Sequence, residues 1–118
     1  VGYDGLAWKQ LSACIKIGSF TGNGATTKAI TGVGFQPSFI FIKNRSTSNG
    51  GVFCSSSMTA GQALLAGQQA LSTSYISSID SDGFTVKSAA HVNGNGNTID
   101  YVAFKAGSFN YPLSRLDA

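Results

Sequence analysis

The stretch Ser38-Phe-Ile-Phe-Ile-Lys43 decides how the rest of the chain is interpreted. It is a short apolar run of aromatic and β-branched residues, a composition typical of a strand covered on both faces. Gln36-Pro37, just before it, predicts an extended entry into that strand. Residues 98–106 (TIDYVAFKA) alternate with a period of two, and Tyr101 is expected in the core. An all-β chain is therefore predicted.

Shorter strands are predicted on both sides of this stretch. They cover residues 12–20, 25–31, 51–55, 71–79 and 83–88. Four Asn-Gly pairs, starting at Asn23, Asn49, Asn93 and Asn95, predict type I′ hairpin turns because both residues accept positive φ angles. Turns at roughly 8–12 residue spacing favour an antiparallel β-sandwich, which we expect to be jelly-roll-like. Residues 58–70 (MTAGQALLAGQQA) predict one short helix, with Thr59 as its N-cap, or an irregular turn as the alternative.

The length and the irregular chain ends predict one domain with two arms. A chain of 118 residues matches a single core. We assign residues 1–11 to an N-terminal arm, 12–106 to the β-sandwich and 107–118 to a C-terminal arm. Both arms are apolar and aromatic, so they fold back on their own domain or lie on a neighbouring one. The second alternative is favoured, because exposed aromatic patches usually mark interfaces.

Composition and charge exclude several function classes. Only 11% of residues are charged, glutamate is absent, and the net charge is +3. The cations never run together, so no nucleic-acid partner is expected. No apolar run reaches about 18 residues, so no membrane partner is expected either. A structural protein rather than an enzyme is the better match to this composition.

Candidate chemical groups are few. His91 is the single histidine, and no G-x-S-x-G motif or metal-ligand spacing accompanies it, so we expect no catalytic residues, metal or cofactor. Asp80-Ser-Asp-Gly83 predicts a hairpin turn, with a weak calcium loop as the alternative. Cys14 and Cys54 lack C-x-x-C spacing and are interpreted as two buried thiols, with a disulfide between strands left open.

Several segments taken together resemble a known family. They are Gly18-Ser-Phe-Thr-Gly-Asn-Gly24, Thr31-Gly-Val-Gly-Phe-Gln-Pro-Ser-Phe-Ile-Phe-Ile-Lys-Asn-Arg-Ser46, Asp80-Ser-Asp-Gly-Phe-Thr-Val86 and Asp100-Tyr-Val-Ala-Phe-Lys-Ala106. Their order is similar to that of a β-rich domain family found in virion proteins of tailed bacteriophages, including tail-fibre-like and other surface proteins. The resemblance implies a virion structural module and supplies no catalytic residues.

The expected function is that of a structural bacteriophage virion protein, either a capsid decoration or a tail or fibre component, that acts by self-assembly. Its expected partners are copies of itself and other virion proteins, and its expected location is the virion, assembled in the host cytoplasm and exposed extracellularly. The expected interface residues are Trp8, Phe109, Tyr111, Leu113, Lys43 and Arg45. The alternative is a carbohydrate- or receptor-binding module on a virion or secreted protein. In that case a host-surface glycan would bind near Tyr75, Asn49 and Asn95.

Overall fold

The computed structural model describes residues 14–67 and 70–105, which form a two-sheet β-sandwich. The strands are β1 (Ile15–Thr21), β2 (Thr27–Ile30), β3 (Phe39–Asn44), β4 (Val52–Ser55), β5 (Leu64–Leu65), β6 (Ile76–Asp80), β7 (Gly83–Lys87) and β8 (Thr98–Phe104), and the short helix α1 (Ala90–Asn93) lies between β7 and β8. Each strand region predicted from the sequence contains one of these strands. The predicted all-β antiparallel sandwich is confirmed.

Every pairing in the two sheets is antiparallel. The larger sheet has the order β1-β8-β3-β4-β5 and the smaller one β2-β7-β6. Because β1 and β8 are neighbours, the first and last strands close the domain together. Strands β3 and β8 lie at the centre of the larger sheet, which explains why their sequences are the most apolar.

The core fills the space between the sheets. It contains Ile40 and Ile42 of β3, Ile99 of β8 and Phe84 of β7, all with no exposed surface. The ring of Phe84 meets the ring of Tyr101 edge to face at 5.2 Å, which joins the two sheets. Tyr101 is 6% exposed, so its predicted core position is confirmed.

The predicted helix at residues 58–70 is wrong over its described part. Leu64 and Leu65 form β5, which pairs with β4, and Ala63 bridges Ser72. The backbone takes a positive φ at Gly61 (+84°) and at Gly67 (+89°), a conformation that interrupts a right-handed helix. The pairing partners of this segment are distant in sequence, so its helix-like composition does not decide its structure.

The Asn-Gly pairs also differ from the prediction. A type I′ turn needs positive φ at both central residues, whereas no residue other than glycine has a positive φ in the described ranges. Asn23 lies between strands of different sheets, and Asn93 ends α1. The hairpin predicted at Asp80-Ser-Asp-Gly83 does form, joining β6 to β7 with Asp80 opposite Gly83.

Candidate functional site

The outward side of the larger sheet is apolar over most of its length, with Ser19, Lys43 and Asp100 at one end. Such an apolar surface is unusual for an antiparallel sheet whose other side already forms the core. We call it the phenylalanine face. Its centre consists of Phe39 and Phe41 of β3, Phe53 of β4 and Phe104 of β8, all half-buried and none packed against the core between the sheets. The strand register adds Ile15, Ile17, Leu64 and Val102 to the same side.

The four phenyl rings form one continuous surface. Phe39 lies 5.9 Å from Phe104 and 6.0 Å from Phe53, measured between ring centroids, and Phe53 lies 4.7 Å from Phe41. A Cβ atom at position 51 would approach the Phe41 ring to 2.5 Å, so Gly51 makes room for that ring to lie against the sheet. At the β1 edge of the face, Ile17 is 77% exposed.

The first and last residues that the structure describes lie beside this face. The amide of Lys105 donates a hydrogen bond to the carbonyl of Cys14 at 2.7 Å, so these two residues are adjacent. Ile15 and Phe104, the next residues inward, pair with each other in the register of β1 and β8. The predicted arms, with the interface residues Trp8, Phe109, Tyr111 and Leu113, lie outside the described residues, where their predicted role stays a prediction.

Lys43 and Arg45, the two predicted interface cations, are both bonded within the chain. The Lys43 ammonium donates to the carbonyls of Asn44 (2.6 Å) and Thr47 (2.9 Å). The Arg45 guanidinium donates two hydrogen bonds to the Asp100 carboxylate, at 2.9 and 2.7 Å. This pairing lowers the pKa of Asp100, mainly through the Arg45 hydrogen bond, and raises that of Arg45. Their interface role stays a prediction.

A buried amide network holds the loops at one end of the sandwich. Asn44, with no exposed surface, donates to the carbonyl of Ala90 at 2.7 Å and to Oδ1 of Asn97 at 3.0 Å, and accepts from the amide of Ser46 at 2.9 Å. These bonds tie α1 and the loop before β8 to the end of β3. The asparagine side chain supplies both donors and an acceptor here, which an apolar side chain of the same size would lack.

Asn93 performs a similar task for the loop after β1. Its Oδ1 accepts from the amide of Asn23 at 2.9 Å, and its Nδ2 donates to the carbonyl of Ala25 at 3.1 Å. Asn93 therefore has a structural role. The Asn-Gly pairs that start at Asn23 and Asn93 do not form the predicted hairpins, because the Asn93 side chain satisfies backbone groups of the distant loop.

Asp82 ties the turn between β6 and β7 to the loop before β3. Its carboxylate accepts the amides of Gly32 at 2.9 Å and Gly34 at 2.7 Å. These hydrogen bonds, that from Gly32 first, lower the pKa of Asp82. Besides its place in the predicted hairpin turn, Asp82 thus binds backbone N–H groups that are distant in sequence. Within the described residues no three His, Cys, Asp or Glu side chains gather as metal ligands.

The residues predicted to bind a glycan do not form one cluster. Tyr75 is half-buried, and its ring meets the His91 ring of α1 edge to face at 5.1 Å. Asn49 lies in the loop between β3 and β4, where its amide bonds the Thr47 hydroxyl, and Asn95 is exposed in the loop before β8. Among the described residues, no hydrogen bond or ring contact joins these three side chains. Glycan binding at them stays a prediction.

The two cysteines are buried and lie in the same sheet without forming a disulfide. Cys14 precedes β1 and Cys54 lies in β4, with β8 and β3 between them. Three strand spacings amount to about 14 Å, which is beyond the roughly 7 Å that a disulfide allows between Cα atoms. The Cys54 thiol donates to the carbonyl of Gln62 at 3.4 Å, and burial raises its pKa. The prediction of two buried thiols is confirmed.

A cleft of about 510 Å³ opens at the end of the sandwich opposite Asn49 and Asn95, between the free edge of β6 and the chain that follows β4. We call it the serine cleft. The hydroxyl side chains that line it belong to Ser38, Ser55, Ser56, Thr59 and Ser78. The sequence gives no local signal for this site, because sheet order alone brings residues 55–61 against β6.

Comparisons with known proteins place the chain in a family without a described function. No helix in residues 14–67 and 70–105 is long and apolar enough to cross a membrane. No curated protein and no solved structure shows significant similarity to the chain. A family model matches residues 10–110, which include the sandwich and all the strands described above. The chain belongs to the family described as a domain of unknown function, DUF7483.

Proposed function

We propose that this chain is a structural component of a bacteriophage virion and that it assembles with neighbouring copies of itself. The phenylalanine face carries this proposal. Four phenyl rings and an exposed Ile17 on the solvent side of a sheet are costly to leave in water, and covering them by a neighbour removes that cost. The resemblance of the strand and turn motifs to virion domains supplies the biological setting.

The size of the face indicates what covers it. Five strands span about 19 Å at the usual spacing, and a seven-residue strand is about 23 Å long. Because β4 and β5 are shorter than this, the face offers at most on the order of 400 Å², no more than about half of what one partner contributes to a stable interface. Two copies that met through this face alone would associate weakly, so a further contact is needed.

The predicted arms can supply that contact. Residues 106–118 begin one position after Lys105, beside Phe104, and could extend about 40 Å at roughly 3.3 Å per residue. This reach exceeds the width of the sheet. We propose that the C-terminal arm of one copy lies on the phenylalanine face of the next, with Phe109, Tyr111 and Leu113 against the phenyl rings.

The low charge of the face suits this role. Lys43 and Arg45, the cations at its edge, already have partners within the chain. Covering the face therefore leaves Arg45 paired with Asp100 and the Lys43 ammonium hydrogen-bonded to two backbone carbonyls. A buried charge that has lost its partner costs on the order of 3–5 kcal/mol. Association through the face needs no charged group from the neighbour.

The oligomeric state of the purified chain tests the assembly. We expect light scattering to show an oligomer that becomes monomeric in Phe41→Ser and in a variant lacking residues 107–118. Leu71→Ser is the matched control, because Leu71 is 43% exposed but lies outside the face. Ile17→Ser gives a second readout if Phe41→Ser fails to fold. A wild-type monomer, or oligomers unaffected by these changes, would contradict the proposed assembly.

The virion setting needs a separate experiment. Peptides from this chain should be found by mass spectrometry in purified phage particles released from cells that carry its gene. Immunogold electron microscopy should then place the chain on the capsid or the tail. Particles that form and contain no such peptides would overturn the virion assignment while leaving the self-assembly result intact.

A further inference from the structure

The serine cleft has the dimensions of a small-molecule site and takes no part in the proposed assembly. Its volume of about 510 Å³ lies within the range of roughly 300–1,000 Å³ that such sites occupy. The cleft exists because β6 is the edge strand of the smaller sheet and faces the end of β4 across the open side of the sandwich. Rigid strands thus form two of its walls.

The walls combine hydroxyl groups with an apolar floor. Ile76, Ile79 and Met58 contribute apolar surface, and Ile76 is almost fully buried. The hydroxyls of Ser38, Ser56 and Thr59 make no hydrogen bond to the described residues, whereas the Ser78 hydroxyl already donates to Asp80 at 2.7 Å. Three hydroxyls therefore remain able to donate to a ligand and to accept from it.

The absence of charge among the described lining residues limits the ligand class. An anion or cation would lose its hydration without meeting an opposite charge, which is unfavourable. A purely apolar ligand would take water from the hydroxyls of Ser38, Ser56 and Thr59 without replacing those hydrogen bonds. A neutral ring that carries hydroxyls on its edge and C–H groups on its faces satisfies both the walls and the floor.

We infer that the serine cleft binds a neutral hexose, either free or as a unit of a glycan. This site is distinct from Tyr75, Asn49 and Asn95, the residues to which the sequence assigns glycan binding. Ser38 and Asn49 lie beyond opposite ends of β3, so the Ser38 end of the cleft is remote from Asn49, whereas Tyr75 directly precedes Ile76 of the cleft lining. The inference does not depend on self-assembly, since no residue of the phenylalanine face lines the cleft.

A titration of the ¹⁵N-labelled full chain by NMR tests the inference. The probes are glucose, galactose, mannose and N-acetylglucosamine, with glucuronate and galacturonate as the matched charged rings. We expect at least one neutral sugar to shift the amides of Ser38, Ser56 and Thr59 in a saturable manner, with a Kd of about 1 mM or tighter, equivalent to roughly −4 kcal/mol. We expect the uronates to bind at least tenfold more weakly.

Two matched variants locate the site. Ala60 is exposed at the cleft, so Ala60→Trp should fill the opening and weaken sugar binding at least tenfold. Ala66 is also exposed but does not line the cleft, so Ala66→Trp should bind like the wild type. The inference is overturned if no neutral sugar shifts the cleft amides, if the shifts map to Asn49 and Asn95, if uronates bind equally well, or if Ala60→Trp binds normally.

Discussion

Replacing Asn44 by leucine isolates the contribution of the buried amide network. Leucine has the branched four-atom shape of the asparagine side chain but bulkier methyl groups, so the Asn44→Leu variant crowds the buried site slightly and removes three hydrogen bonds, to Ala90, Asn97 and Ser46. At about 1 kcal/mol net for each bond, the free energy of unfolding should fall by roughly 3 kcal/mol. At about 4 °C per kcal/mol, the melting temperature should fall by roughly 10 °C.

The measurement is urea and thermal unfolding, followed by circular dichroism, on the wild type and two variants. Asn95→Leu is the control, because Asn95 is exposed in the same loop region and its side chain makes no hydrogen bond to the described residues. The control should unfold within about 0.5 kcal/mol of the wild type. If Asn44→Leu also unfolds within that margin, the network does not stabilise the fold and the reasoning is wrong.

Three further predictions concern acid, packing and thiol chemistry. The folded-state pKa values of Asp82 and Asp100 are lowered, so the stability these groups contribute is present above the ordinary aspartate pKa near 3.9 and is lost as pH falls through the folded values. Asp82→Asn should therefore be less stable than the wild type at pH 6 and should lose less stability on acidification, measured by thermal unfolding. Phe84→Ala should cost about 3–5 kcal/mol in urea unfolding because it leaves a core cavity, and Phe41→Ala should cost much less in a monomer; equal costs would place Phe41 in the core. The Cys54 thiol is buried and its pKa is raised, so it should react only slowly with a thiol reagent at pH 8 until denaturant is added. Rapid modification of Cys54 in the folded protein would contradict its burial.

The sequence predicts the fold well where local pattern and tertiary contacts agree. The period-two alternation around Tyr101 matches a central strand with one side in the core. The apolar run at 38–43 predicts a strand covered on both faces. The phenylalanine face is the side of this strand that the described residues leave uncovered. The same parity of Phe53 in β4 and Phe104 in β8 is the signal from which this face could have been identified before the structure.

Local pattern fails where distant partners decide the structure. Leu64 and Leu65 have good helix propensity, but pairing with β4 makes them a strand. Helix α1 was missed because four residues are too few to show a helical period. The Asn93-Gly94 pair resembles a hairpin turn, yet the Asn93 side chain accepts a hydrogen bond from the amide of Asn23, seventy positions away. The serine cleft depends on sheet order in the same way.

Each motif that carries the family resemblance is hydrogen-bonded to a distant segment of the chain. The bonded pairs are Asn23 with Asn93, Gly32 and Gly34 with Asp82, and Arg45 with Asp100. The order of these motifs along the sequence is therefore explained by closing the sandwich, and no reactive centre is needed to account for it. Substitutions in the pairs should change unfolding, whereas substitutions on the phenylalanine face should change association and those in the serine cleft should change ligand binding. Because the three sets of residues do not overlap, variants in one set serve as controls for effects measured in the other two.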